Sequence, residues 1–143
     1  MYDICYGFTR NTLETSHKGE VVLAGKLRPN GSIDPTIWIG NWIESVSRPE
    51  IGVIRITIKD KFRQIPGDHS SVITLQYNGT NPYLIYILTI NWNTGLIDIK
   101  IRNFVTGFTA DIPSDPDTWI NVLHIIKHAR VYDGDNLVLE PGL

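Results

Sequence analysis

Two runs of alternating isoleucine, Val53-Ile54-Arg55-Ile56-Thr57-Ile58-Lys59 and Leu96-Ile97-Asp98-Ile99-Lys100-Ile101-Arg102, restrict the fold of this chain more than any other feature. Successive side chains of a strand point to opposite faces, so each run has one apolar face and one charged or hydroxylated face. A sheet built from such strands must cover its apolar side with a second layer. The rest of the sequence suits that demand. Glu20 to Arg28 reads as a strand ended by a Pro29-Asn30-Gly31-Ser32 turn. Ile37 to Ile43 is a β-branched and aromatic run with Gly40 inside it, which predicts a bulge or a close backbone approach. Ser47-Arg48-Pro49-Glu50 is expected to interrupt the chain before the strand from Gly52 to Lys59, with Gly52 read as a bulge at a sheet corner.

Further along, Val72 to Tyr77 is a short strand, and Asn78-Gly79 signals a hairpin that Pro82 lengthens. Leu84 to Ile90 is apolar on both faces, as expected of a central strand buried between layers. Phe104 to Ile112 reads as one more short strand. The segment from Trp119 to His128 follows Asp115-Pro116, a good helix start, but its isoleucine and valine content favours a second central strand. Strands recurring roughly every ten to fifteen residues indicate an all-β fold, a jelly-roll-like antiparallel β-sandwich. At 143 residues the chain holds one domain. Residues 1–19 read as an extended N-terminal arm, 20–132 as the sandwich, and 133–143 as a C-terminal tail.

The formal net charge of −2 comes without a basic stripe, which argues against capture of nucleic acid. A single cysteine, Cys5, rules out an internal disulfide framework and reads as a small buried residue. No secretory signal is recognised at Met1, and the longest apolar stretch is too short to span a bilayer, so synthesis in the cytoplasm and no membrane partner are expected.

Motifs for chemistry are missing. There is no Gly-x-Ser-x-Gly elbow and no dinucleotide or phosphate loop. His17, His69, His124 and His128 lack a metal-binding arrangement, and the Asp111, Asp115 and Asp117 loop lacks the ligand density of a calcium loop. Glu14, Glu20, Glu44, Glu50 and Glu140 offer no spacing that singles out a glycosidase pair. These readings predict no enzyme activity, no cofactor and no small-molecule substrate. The aromatic residues remain. Of Trp38, Trp42, Trp92 and Trp119, Trp42 and Trp92 are candidate contacts for a ligand or partner, and Tyr2, Tyr6 and Phe8 would let the arm fill pockets on a neighbouring subunit.

The stretch from Gly25 to Lys59 resembles a pattern of small virion proteins of tailed bacteriophages, V-x-R-x-x-x-G-x-(Y/I)-x-(V/I)-(T/S)-(L/I). Val46, Arg48, Gly52, Ile54, Ile56, Thr57 and Ile58 stand at its positions, and Asp117 to His128 is similar to the family's final strand. The resemblance covers about Val21 to Val131; Ile54 departs from it where an aromatic residue is common. It implies a head decoration, or cement, protein: a β-sandwich, commonly a homotrimer, that binds the major capsid protein on the exterior of the virion and ties neighbouring subunits together. Related glycine-plus-strand patterns occur in trimeric tumour-necrosis-factor-like jelly rolls and in tail-fibre tips. A receptor- or glycan-binding module of a tail fibre is accordingly the alternative.

Overall fold

The structure, a computed structural model, describes residues 12–14, 21–59, 61–62, 69–91, 94–126, 131–133 and 136–137. Its strands are β1 (Thr12–Glu14), β2 (Val21–Asn30), β3 (Ile33–Ile39), β4 (Ile43–Glu50), β5 (Val53–Ile58), β6 (Lys61–Phe62), β7 (His69–Gln76), β8 (Tyr83–Asn91), β9 (Leu96–Asn103), β10 (Trp119–Ile126), β11 (Val131–Asp133) and β12 (Asn136–Leu137). A front sheet has the order β1-β2-β10-β7, with β3 sharing one flank of β2 with β1. The back sheet has the order β4-β5-β9-β8, and β6, β11 and β12 form a third, small sheet. All pairings are antiparallel.

The two isoleucine runs become β5 and β9, neighbours at the centre of the back sheet, where Ile54 faces Ile99 and Ile56 faces Ile97. Their apolar sides meet Leu23, Leu27, Ile120 and Val122 of β2 and β10 in one core cluster. Each such aliphatic side chain, withdrawn from water, contributes about 1.5–3 kcal/mol. The segment from Trp119 is a strand, as its β-branched content predicts, and it is central, lying between β2 and β7.

Four connections gather at one end of the sandwich: Gly31–Ser32, Ile51–Gly52, residues 77–82 and the long crossover 104–118. Ile112 of the crossover is buried and plugs that end, while its carbonyl accepts the Gly31 N–H at 2.8 Å. Gly52 stands at φ 71°, and a Cβ there would lie 2.6 Å from the Ile101 carbonyl oxygen. Gly52 is thus a turn residue between β4 and β5 rather than a strand-opening bulge, and Ser47 to Glu50, expected as an interruption, continues β4.

Several other expectations change. β8 was expected at the centre because it is apolar on both faces, yet it is an edge strand, with Leu84 and Leu88 about half exposed. Asn78-Gly79 does not close a hairpin: β7 and β8 belong to different sheets, and Gly79 (φ 97°) sits in a loop that crosses between them. Gly40 lies at the crossing from β3 to β4, and of its two expected uses the close approach holds: a Cβ there would lie 2.8 Å from Ile43 Cδ1. Phe104 to Ile112 forms a single bridge, Arg102 with Thr109, and no strand. The connections β1–β2, β2–β3, β4–β5, β8–β9 and β11–β12 each join antiparallel neighbours within one sheet, and the two larger sheets form the expected antiparallel β-sandwich. Of the expected arm, Thr12–Glu14 pairs with β2; residues 1–11 and 15–19 lie outside the described residues. Toward the other terminus β11 and β12 pair, with Asp133 opposite Asn136.

Candidate docking surface

Trp42 illustrates how the core takes up an aromatic residue that the sequence offers as a contact. It follows Gly40 at the crossing into β4 and is 2 % exposed. Its indole N–H donates to the Ala24 carbonyl at 2.7 Å, and its ring meets His124 edge-on at 5.8 Å. A buried indole needs an acceptor, and β2 supplies one. The expectation that Trp42 contacts a partner is therefore corrected: its ring has no free face. Tyr2, Tyr6, Phe8 and Trp92 lie outside the described residues.

The aromatic residues that do reach the surface are Trp38 and Trp119. Trp38 is 62 % exposed, on the stretch of β3 where the register against β2 shifts, between Ile37 opposite Leu27 and Ile39 opposite Lys26. Trp119 opens β10. The rings lie 5.3 Å apart and tilted by 54° across the intervening β2. Alternation along β2 sends Leu23, Gly25 and Leu27 inward and Ala24, Lys26 and Arg28 outward. Both cations consequently land on the aromatic pair: the Arg28 guanidinium is 4.3 Å from the Trp119 centroid and 5.5 Å from that of Trp38, and Lys26 Nζ is 4.9 Å from Trp119. A cation over an aromatic face is held by the ring quadrupole, more strongly once desolvated. Beyond this cluster the front face continues with exposed Ile39, Val72 and Leu123. The outward positions of β2, β7 and β10 carry Lys26 and Arg28 and no carboxylate.

His124, Asp111 and Asp115 are engaged in structure. His124 is fully buried, and its Nδ1 shares a 2.7 Å hydrogen bond with the Ser71 hydroxyl. The side chain of His69 and all of His17 and His128 lie outside the description. Asp111 accepts from Arg48 Nε at 3.1 Å, from Arg48 Nη2, and from the Gly52 N–H at 3.0 Å, clamping the crossover to the β4–β5 turn. The hydrogen bond to Asp111, helped by its charge and opposed by burial, raises the Arg48 pKa above its ordinary value. Asp115 accepts the Asp117 N–H at 2.7 Å. Among the described residues no three His, Cys, Asp or Glu groups converge as metal ligands.

Sequence reasoning named Trp38 and Trp119 only as two of four tryptophans and did not anticipate their cations. The Lys26-x-Arg28 alternation was a usable signal; the join to Trp119 depends on pairing between strands far apart in the chain. Comparison with known proteins finds no matching family model, no matching curated protein and no matching solved structure.

Proposed function

We propose that this chain is a binding module without catalytic activity that docks through the front face onto the surface of a larger protein assembly. In the form its sequence resemblance suggests, it is a decoration protein on the exterior of a bacteriophage head, contacting the major capsid protein. The observation that carries this reading is the Trp38, Arg28, Trp119 and Lys26 cluster, with Trp38 open to solvent, on a sheet face where β2, β7 and β10 present no carboxylate. Tryptophan and arginine are the residues most enriched at the energetic centres of protein interfaces. Because the cations already rest on the rings, little side-chain freedom remains to be lost on docking. A module that binds only the assembled lattice stabilises that lattice by its own binding free energy, and needs no reaction to do so.

The same geometry weighs against the fibre-tip alternative. Sugar stacking requires a bare aromatic face, and Trp119 has one occupied by Arg28 and Lys26. The test is to compare binding to purified heads, and the heat resistance of those heads, for the wild-type protein, Trp38→Ala and Arg55→Gln. Docking through the front face requires that Trp38→Ala lose binding and protection while Arg55→Gln, on the opposite face, keeps both. No binding by the wild type to any head particle rejects the decoration role, and glycan-array signal abolished by Trp38→Ala favours the fibre-tip reading.

A further inference from the structure

The sequence of β8 asks for burial on two sides, and the chain by itself provides it on one. Tyr83 to Asn91 contains no charge and no proline. Ile85, Ile87 and Ile90 pack inward against the core, while Leu84 and Leu88 on the outer face stay 52 % and 48 % exposed. Among the described strands, β9 alone pairs with β8, and none lies on its other flank. A long, apolar, uncharged edge is what folded proteins ordinarily avoid. The other edge of the same sheet shows the usual protection: β4 carries Pro49 and two register shifts, and its Arg48 N–H is taken by the Asp34 carboxylate at 2.9 Å.

We propose that β8 pairs antiparallel with β8 of a second copy of this chain, across a two-fold axis at Tyr86, joining two back sheets into one. Two features of the strand point to that occupant. The first is its order: Leu84-Ile85-Tyr86-Ile87-Leu88 reads identically in both directions. Antiparallel pairing about Tyr86 sets Leu84 opposite the other copy's Leu88 and Ile85 opposite the other copy's Ile87, as a self-complementary two-fold contact requires.

The second is the phase of the backbone. The Phe104 N–H donates to the Pro82 carbonyl, just outside the Tyr83 and Asn103 pair. Hydrogen-bonded and non-bonded pairs alternate along an antiparallel ladder. Leu84 and Tyr86 therefore direct their N–H and C=O groups toward β9, whereas Ile85 and Ile87 direct theirs to the other flank. With the axis at Tyr86, the outward groups of Ile85 in one copy meet those of Ile87 in the other, and both sets are satisfied. The Tyr86 pair falls at a non-bonded position, where side chains come closest. The two copies of Leu84, Tyr86 and Leu88 then close over one another on the outer face. A register shift between Ile87 and Thr89 ends the regular pairing, which limits it to this symmetric segment.

This inference does not rest on the front-face docking, since a dimer forms or fails with the protein alone. Sedimentation equilibrium of the full chain over the micromolar range should show a reversible dimer. Leu84→Lys combined with Leu88→Lys should weaken it by about a hundredfold or more, because two cationic pairs would replace the apolar contacts. Val105→Lys, at a still more exposed position on the crossover, should leave it unchanged. In a Cys5→Ser background, Tyr86→Cys should cross-link two chains on mild oxidation, and Leu84→Cys, displaced from the axis, should not. A monomer throughout, a trimer, or a dimer indifferent to the lysine pair overturns the proposal. So does slow exchange of the Ile85 and Ile87 amides in a monomer, which would mean that another segment of this chain covers the edge.

Discussion

The outer faces of the two sheets use charge in opposite ways. On the back face Arg55 of β5 is matched by Asp98, directly opposite on β9, with Nε to Oδ1 at 2.8 Å and Nη2 to Oδ2 at 3.1 Å. Arg102 donates from Nε to the Tyr86 hydroxyl at 3.0 Å and from Nη1 to the Gly107 carbonyl at 3.1 Å. These cations are satisfied by the back sheet and the crossover that follows it. On the front face Lys26 and Arg28 rest on tryptophan rings instead. A carboxylate neutralises an arginine's charge, whereas the rings and the Pro116 carbonyl, which accepts from Arg28 Nη2 at 3.4 Å, leave the Arg28 charge without a counter-ion. The difference teaches that number of charges is a poor guide to a surface's use. What matters is whether the partner that settles each charge belongs to the same chain.

The comparison presumes that both faces ride on one core, and the largest expected effect tests that. Ile56→Ala in β5, fully buried beneath the back sheet, should cost about 2–5 kcal/mol through lost burial and the cavity left behind. The loss should appear equally in amide exchange along β2 and β10, which follows the front sheet, and along β5 and β9, which follows the back. Two separated transitions would show the sheets to be independent units, and the contrast between their faces would then describe two bodies rather than one.

How much of this contrast the sequence discloses depends on how local each feature is. Alternation in Val53 to Lys59 and Leu96 to Arg102 shows the inward and outward sides of β5 and β9, because period two is written in consecutive residues. The Arg55 and Asp98 pair is within reach of that reasoning once the two runs are set side by side. The front cluster is not: it needs the irregular register of β3 on β2 and the pairing of β10 with β2, which join residues some eighty positions apart. Trp42 misleads for a related reason, since its acceptor, the Ala24 carbonyl, lies in another strand. β8 misleads differently. Apolar residues on both faces report that burial is required without saying whether the chain or a second copy provides it.

A sharper form of the comparison comes from removing one arginine on each face. Arg28→Gln keeps the start of the aliphatic stem but strips the cation from both rings, and should cost about 1 kcal/mol, near the value of partly exposed cation–π contacts. Arg55→Gln removes an exposed ion pair, and its smaller loss should shrink further in high salt as screening weakens the wild-type pair. Thermal melts of both variants at low and high salt measure this directly. If the two arginines respond alike to salt, rings and carboxylate hold their cations in the same manner, and the distinction between the faces fails.

The smallest effect belongs to the seam where the sheets approach each other. Tyr83 of β8 meets Tyr77, just beyond β7, edge-to-face at 5.4 Å. Burial, with a contribution from Tyr77, raises the Tyr83 pKa above its ordinary value near 10. The folded state therefore binds this phenolic proton more tightly than the unfolded chain does. Its stabilising contribution is complete below the unfolded pKa and is lost as pH rises through the folded one. Denaturation midpoints measured across the alkaline range should fall more steeply for the wild type than for Tyr83→Phe, which has no proton to lose. Equal slopes would place the Tyr83 hydroxyl in water, and the edge between β7 and β8 would then be open to solvent on its inner side as well as along its flank.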